Sequence, residues 1–381
     1  MSFQDLGIPA SSSTVTVKTF DVAEDFSKIK VPAASFFKPV LPGHENYASP
    51  LYAFLIEHVA TKQRVMFDLG IRKDVENAAP ALYEVFKSGA VSMPVKQDIV
   101  EQLTEGGIDV GSISAVIWSH THFDHTGDMS KFPSTTDLVV GLDAVMETYI
   151  LNPMSTLLES DVAGHKLVQL NFEKSDLEIG GFRAHDFFAD GSLYLLDVPG
   201  HLLGHMCALA RVAPNSFVFL GADSCHHAGQ FRPTDKLHQH FPCPGELLAA
   251  TRRTISAKYF PSSGSASNED EFDLATRATP LLEVSDEGYY EDKGSARASI
   301  RKLGDFDANA DVFVVLGHDA SLVPIIGLFP ASLNGWKENG WKKTATWAFV
   351  DEGNPAFRFS AVAHTDCFNC RTSKWSSAAC T

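Results

Sequence analysis

The chain has 381 residues, of which 44% are apolar and 20% are charged, which is typical of a globular protein with a substantial core. Its 47 acidic and 31 basic residues give a net charge of −16, which disfavours nucleic-acid binding and strongly anionic substrates. No apolar run approaches the roughly 18 residues of a membrane span, and no secretory leader is evident, so no membrane partner is expected. Six cysteines do not make a disulfide framework in this length, which indicates a reducing, cytoplasmic location.

Short apolar segments bounded by turn residues predict most of the secondary structure. Strands are predicted at 14–20, 51–56, 64–67, 115–118, 193–196, 207–212, 217–220 and 312–316. A helix is predicted over 95–103, where apolar residues recur at helical spacing, and another over 245–256.

The most informative motif is His-x-His-x-Asp-His at residues 120–125, directly after the strand predicted at 115–118. Imidazole nitrogens and carboxylate oxygens are the ligands that zinc and similar divalent metals prefer. Because the motif follows a buried strand, a rigid element would aim these ligands. For this motif alone, the alternative is a polar, His-rich loop without a metal.

Three later segments supply further potential ligands in the same structural setting. His201 follows a Pro-Gly turn, Asp223 follows the strand at 217–220, and His318 follows the strand at 312–316. This recurrence indicates a composite metal site rather than isolated polar residues.

With these motifs in this order, the chain resembles the metallo-β-lactamase-fold hydrolases over roughly residues 14–350. The resemblance implies an α/β (α+β) fold of the αββα sandwich type with a dinuclear metal site at one edge. The single domain would carry insertions at about 143–175 and 226–300, followed by a C-terminal extension at 351–381. The members most similar in motif pattern are lactonases and glyoxalase II-type thioesterases.

The resemblance also implies a set of metal ligands. One ion would be held by His120, His122 and His201, the other by Asp124, His125 and His318, with Asp223 bridging both. Two divalent cations are therefore expected, zinc first, with iron or manganese as alternatives. Asp124 is assigned to the catalytic residues as well as to the ligands.

Two further residues are expected near the ligands without binding the metal. His205 is interpreted as a supporting or strand histidine. Asp68 either supports the metal site from behind, as the family's early strand-end Asp does, or caps the turn before Gly70.

Two departures from the related enzymes narrow the function. Dinuclear β-lactamases carry Cys or Ser where this chain has Asp223, which points away from antibiotic hydrolysis. Homoserine-lactone lactonases carry a Tyr where this chain has His226. In the family that Tyr helps to polarise the substrate or to protonate the leaving group. An imidazole could do either, so His226 is a candidate catalytic residue. The alternative for His226, and the favoured interpretation for His227, is a loop residue that points at solvent.

The resemblance, together with these departures, implies a dinuclear metal-dependent hydrolase, a lactonase or γ-lactamase similar to fungal members of the family. Its expected substrate is a small, largely apolar cyclic ester or cyclic amide, such as the ring of a xenobiotic. A divalent metal lowers the pKa of water from about 15.7 to about 7, so no Ser or Cys nucleophile is required. The alternatives are a thioesterase and a non-catalytic metal-binding protein. The pair Cys367 and Cys370 could bind a metal with His364, but ordinary thiols are the simpler interpretation.

Overall fold

A computed structural model of the chain describes residues 2–255, 260 and 273–359. In chain order, its strands are β1 (Val15–Asp21), β2 (Val31–Pro32), β3 (Phe37–Lys38), β4 (Asn46–Tyr47), β5 (Tyr52–His58), β6 (Arg64–Phe67), β7 (Ile113–Ile117), β8 (Asp137–Gly141), β9 (Leu167–Leu170), β10 (Glu178–Ile179), β11 (Phe182–Asp186), β12 (Leu193–Asp197), β13 (Met206–Ala213), β14 (Ser216–Leu220), β15 (Glu283–Val284) and β16 (Val312–Val315).

Its α-helices alternate with groups of strands along the chain, and short 3₁₀ segments connect some helices to the next strand, as between α2 and β7 and between α3 and β8. They are α1 (Pro80–Lys87), α2 (Ile99–Glu105), α3 (Phe123–Thr126), α4 (Glu159–Val162), α5 (Asp235–His240), α6 (Gly245–Thr254), α7 (Lys293–Asp307) and α8 (Trp341–Ala345). The helix predicted over 95–103 begins only at Ile99, because the Asp98 side chain accepts a hydrogen bond from the Glu101 amide and caps it. Within the described ranges, no helix is long and apolar enough to cross a membrane.

Two six-stranded sheets form the frame of the molecule. The first has the order β1-β5-β6-β7-β8-β9 and the second the order β10-β11-β12-β13-β14-β16. Strands β6 to β9 are parallel to one another, and β14 is parallel to β16. Two small antiparallel pairs, β2 with β4 and β3 with β15, lie outside these sheets.

Alternating side chains on the strands divide the core into two layers. On β12, Leu193 and Leu195 pack in the same cluster as Val15 and Val17 of β1, between the sheets. The alternate residues Tyr194 and Leu196 pack in the other cluster with apolar residues of α7. All five residues of β14 are buried, which requires cover on both faces of the second sheet. The sheets therefore face each other, with helices on their outer surfaces.

The segments predicted as insertions contain regular elements of the fold. Residues 143–175 include β9, the edge strand of the first sheet. Residues 226–300 include α5, α6, β15 and the start of α7. Residues on both sides of the predicted 14–350 domain also pack on the core, since Phe3 and Phe359 are buried. Cys367, Cys370 and His364 lie outside the described residues.

A buried ion pair anchors the segment that follows His227 to α7. The Arg232 guanidinium donates two hydrogen bonds to the Asp307 carboxylate, with N–O distances of 2.8 and 2.7 Å. Burial alone would raise the pKa of Asp307, but the Arg232 charge holds it below its ordinary value. Two residues away, Asp305 contacts Lys236 at 2.6 Å on the surface.

These two pairs should differ sharply in their contribution to stability. We expect Asp307→Ala to lower the free energy of unfolding by about 3–5 kcal/mol, because it leaves the Arg232 charge buried without its partner. The matched variant Asp305→Ala removes an exposed partner and should cost no more than about 1 kcal/mol. Urea unfolding of both variants tests this, and equal losses would contradict the role assigned to the buried pair.

Candidate metal centre

The candidate ligands meet because several strands of the two sheets end at one edge. Asp68 follows β6, His120 follows β7 after two residues, and His201 follows β12. Asp223 follows β14 and His318 follows β16. The two sheets are joined at this edge, where the Tyr52 amide of β5 donates to the Gly317 carbonyl. Residues far apart in the chain thus converge on one site.

The His-x-His-x-Asp-His motif divides between two groups because a short helix begins inside it. His122 is the N-cap of α3, so His120 and His122 precede the helix, whereas Asp124 and His125 lie on its single turn. The predicted loop is therefore partly helical.

The first group contains four residues whose donor atoms all lie within 4.8 Å of one another. They are His120, His122, His201 and Asp223. The Nδ1 atom of His122 lies 3.0 Å from Nε2 of His120 and 2.9 Å from Nε2 of His201. The same His201 nitrogen lies 3.2 Å from Oδ2 of Asp223.

The second group contains Asp124, His125 and His318. The Nε2 atoms of the two histidines are 3.2 Å apart, and His318 Nε2 lies 3.5 Å from Oδ2 of Asp124. Asp223 also faces this group, with its Oδ1 at 3.1 Å from His125 Nε2 and 3.2 Å from His318 Nε2. The two oxygens of Asp223 therefore point to different groups, and all seven predicted ligands are brought together.

Burial and charge set the protonation of these side chains. Burial lowers the pKa of His122 to about 3 and that of His201 to about 4, so both imidazoles are neutral near pH 7, as metal ligands must be. Burial acts in the same direction on His125 and His318, but the Asp223 carboxylate raises the pKa of both above the ordinary value. A proton and a metal ion thus compete for these two nitrogens.

The donor set fits divalent metal ions. Asp223 is buried, yet its Oδ1 accepts no hydrogen bond of acceptable geometry from the described residues. A buried carboxylate oxygen without such a bond, surrounded by imidazole nitrogens at 3.1–3.2 Å, is costly unless a cation lies between them. Five imidazoles and two carboxylates match the nitrogen and oxygen ligands of zinc, iron or manganese.

Groups behind the ligands fix their orientation. Asp68 accepts a hydrogen bond from His125 Nδ1 at 2.8 Å and another from the Ser119 amide at 2.7 Å. His318 Nδ1 donates to the Pro50 carbonyl at 3.0 Å. Each bond leaves Nε2 of the ring directed into the site. Asp68 thus occupies the supporting position. Its backbone φ is 59°, a left-handed conformation that residues other than glycine seldom adopt.

His205 has no nitrogen left for a metal. Its Nδ1 donates to the Val198 carbonyl at 2.9 Å, and its Nε2 accepts the Asp223 amide at 3.2 Å. It therefore supports Asp223 from behind.

Gly200, directly before His201, has a φ of 130°, and a Cβ atom there would lie 2.2 Å from the Ala296 amide nitrogen of α7. Glycine is thus required for the turn that presents His201.

The two histidines after Asp223 have different surroundings. His226 is 1% exposed, and its Nε2 lies 3.1 Å from Asp223 Oδ2. Its ring stacks on Phe36 with centroids 4.1 Å apart. His227 instead donates from Nε2 to the Ala356 carbonyl and accepts the Gly229 amide at Nδ1. His226 contacts the candidate ligands, whereas His227 supports the packing. His227 is buried, so the prediction that it points at solvent is wrong.

Sequence reasoning missed the residues that surround His226. The hydroxyl oxygen of Tyr290 lies 2.9 Å from His226 Nδ1. The Tyr47 hydroxyl contacts the backbone carbonyls of His226 and His318, the latter at 2.7 Å. These contacts span between 64 and 271 positions of the chain, so no local pattern signals them.

Comparison with known proteins agrees with this geometry. Residues 48–221 match the family described as the metallo-beta-lactamase superfamily. A metallo-hydrolase of Annulohypoxylon moriforme is 38% identical over 371 residues, which cover 92% of this chain and 90% of that relative. The chain belongs to the metallo-beta-lactamase superfamily. It is a metal-dependent hydrolase of this superfamily, as the sequence predicted.

Two further relatives bear on fold and function. A gamma-lactamase of Fusarium pseudograminearum is 37% identical over 362 residues, covering 91% of this chain and 84% of that relative. The crystal structure of a quorum-quenching N-acyl homoserine lactone hydrolase superimposes with a TM-score of 0.52 over 84% of this chain and 99% of that chain. At 16% identity the latter shows a shared fold, and it confirms the expected sandwich.

Proposed function

We propose that the protein is a dinuclear metal-dependent hydrolase that opens a small cyclic ester or cyclic amide. The observation that carries the proposal is the position of Asp223, whose two carboxylate oxygens face two separate groups of ligands. The gamma-lactamase relative, similar over nearly the whole of this chain, supports the choice of a ring substrate. We further propose zinc as the native metal and a cytoplasmic location.

The mechanism assigns a role to each part of the site. His120, His122 and His201 would hold one ion, Asp124, His125 and His318 the other, and Asp223 both. When bound, two divalent cations activate water for attack and polarise the substrate carbonyl. Asp68 and His205 keep the ligands in place during turnover. His226 is in neither ligand group, and its Nε2 is directed at the site, where its N–H donates a hydrogen bond to the departing atom as negative charge develops there.

The substrate class is tested by measuring acid release from three panels, of lactones, lactams and thioesters, with a buffer blank. We expect turnover of small apolar lactones or lactams, and little turnover of thioesters. The net charge of −16 disfavours anionic thioesters such as those of glutathione. Preference for thioesters would support the thioesterase alternative, and inactivity on all panels by metal-loaded protein would favour a binding protein.

Metal content tests the ligand assignment. The wild-type protein should carry about two metal ions per chain by elemental analysis. Asp223→Ala should lose both ions because one carboxylate serves both groups, whereas Asp124→Ala should lose mainly the ion of the second group. Asp305→Ala, on the exposed face of α7, is the control and should retain both. Retention of both ions in Asp223→Ala would refute the bridging role.

The role of His226 is tested by substrates with poor and good leaving groups. His226→Phe should keep both metals but lose about 10²–10⁴-fold in rate on a poor leaving group. The loss should shrink on an activated aryl ester, which needs no donor. The neighbouring variant His227→Phe removes only contacts within the fold and should lower stability while leaving turnover unchanged. Equal, small losses on both substrates would remove His226 from the mechanism.

A further inference from the structure

The amide of Gln230 has a defined orientation. Its Oε1 accepts the backbone amides of His226 at 2.8 Å and His227 at 3.1 Å. Because both partners are donors, this atom must be the carbonyl oxygen. The Nε2 atom therefore donates, and its neighbours are the Phe36 carbonyl at 3.3 Å and the Tyr290 hydroxyl at 3.4 Å.

This orientation determines the direction of the next hydrogen bond. The Tyr290 hydroxyl has a donor, the Gln230 amide, on one side and His226 Nδ1 at 2.9 Å on the other. The hydroxyl accepts from Gln230, so its own hydrogen is directed to His226. If His226 Nδ1 donated instead, the buried phenolic hydrogen would have no acceptor among these neighbours, which is unfavourable.

The contact of the other ring nitrogen of His226 independently indicates the same position for the ring proton. Its Nε2 lies 3.1 Å from Asp223 Oδ2, and an ionised carboxylate can only accept a hydrogen bond. A hydrogen bond there requires the proton on Nε2. One proton on Nε2 and a free lone pair on Nδ1 satisfy both neighbours of the ring.

We propose that Gln230 and Tyr290 form a relay that fixes His226 in the tautomer with its proton on Nε2. In this state His226 presents an N–H donor to the metal centre and has no lone pair there to act as an additional ligand. Gln230 and Tyr290 are thus positioning residues that act through His226. The catalytic part of this inference rests on the function proposed above, whereas the tautomer itself does not.

Nuclear magnetic resonance of protein labelled with ¹⁵N-histidine and loaded with zinc reads the tautomer directly. Signals of His226 are identified by their absence in His226→Phe. We expect a protonated Nε2 and an unprotonated Nδ1 in the wild type. In Tyr290→Phe the preference should weaken, because Nδ1 has lost its donor. A protonated Nδ1 or a zinc-bound Nε2 in the wild type would overturn the relay.

Kinetics on the best substrate of the panels test whether Tyr290 acts through His226. Tyr290→Phe should lower kcat by about 10–100-fold with little change in KM and unchanged metal content. In a His226→Phe background, the same change should cost nothing further, because its target is gone. An undiminished loss in that background, or no loss in the wild type, would refute the positioning role.

A control variant separates the relay from the general effect of removing a buried hydroxyl. Tyr194→Phe removes the hydroxyl of a buried tyrosine on β12 that lies beside Arg211, outside the hydrogen-bond network of His226. It should leave both the His226 spectrum and kcat unchanged. If no panel substrate is turned over, the proposed function fails, whereas the spectrum still decides the tautomer.

Discussion

The site depends on one buried carboxylate placed between five imidazoles. Asp223 lies within 3.7 Å of ring nitrogens from five histidines, which are His120, His125, His201, His226 and His318. Burial would raise its pKa, but the charges of surrounding histidines hold it well below the ordinary value. Divalent cations would accept the imidazole lone pairs and neutralise the carboxylate charge. Asp223 faces both ligand groups, so both depend on its position.

The sandwich supplies the rigidity that this arrangement needs. Ligands from both sheets approach one edge, and backbone bonds between the sheets, such as Met206 to Ser119, keep that edge closed. Asp223 itself follows Ala222, whose φ of 41° is seldom adopted by side-chain-bearing residues. Strain of this kind persists only where surrounding structure imposes it, and here the buried strand β14 does so.

Layers of hydrogen bonds extend outward from the ligands. Asp68 and Pro50 hold His125 and His318, and His205 holds the Asp223 backbone. The segment after Asp223 forms a second network around His226, which is in turn packed against Phe36. The two networks meet at Asp223, whose Oδ2 contacts His226, and at the Tyr47 hydroxyl, which contacts the backbone carbonyls of His226 and His318.

The sequence by itself determined the strands that carry the ligands and the ligand types at their ends. Apolar runs at 115–118, 217–220 and 312–316 correspond to β7, β14 and β16, because short buried strands are encoded locally. The order of the motifs around Asp223 and His318 was sufficient to indicate the superfamily.

Only the tertiary structure decided what each remaining histidine does. An imidazole binds metal, donates or merely packs according to what lies against each of its two nitrogens. For His205 and His227 both nitrogens are occupied by backbone groups, whereas His226 lies between Asp223 and Tyr290. The partners that distinguish these histidines include Tyr290, 64 positions from His226, and Ala356, 129 positions from His227, so residue type and local spacing cannot reveal them.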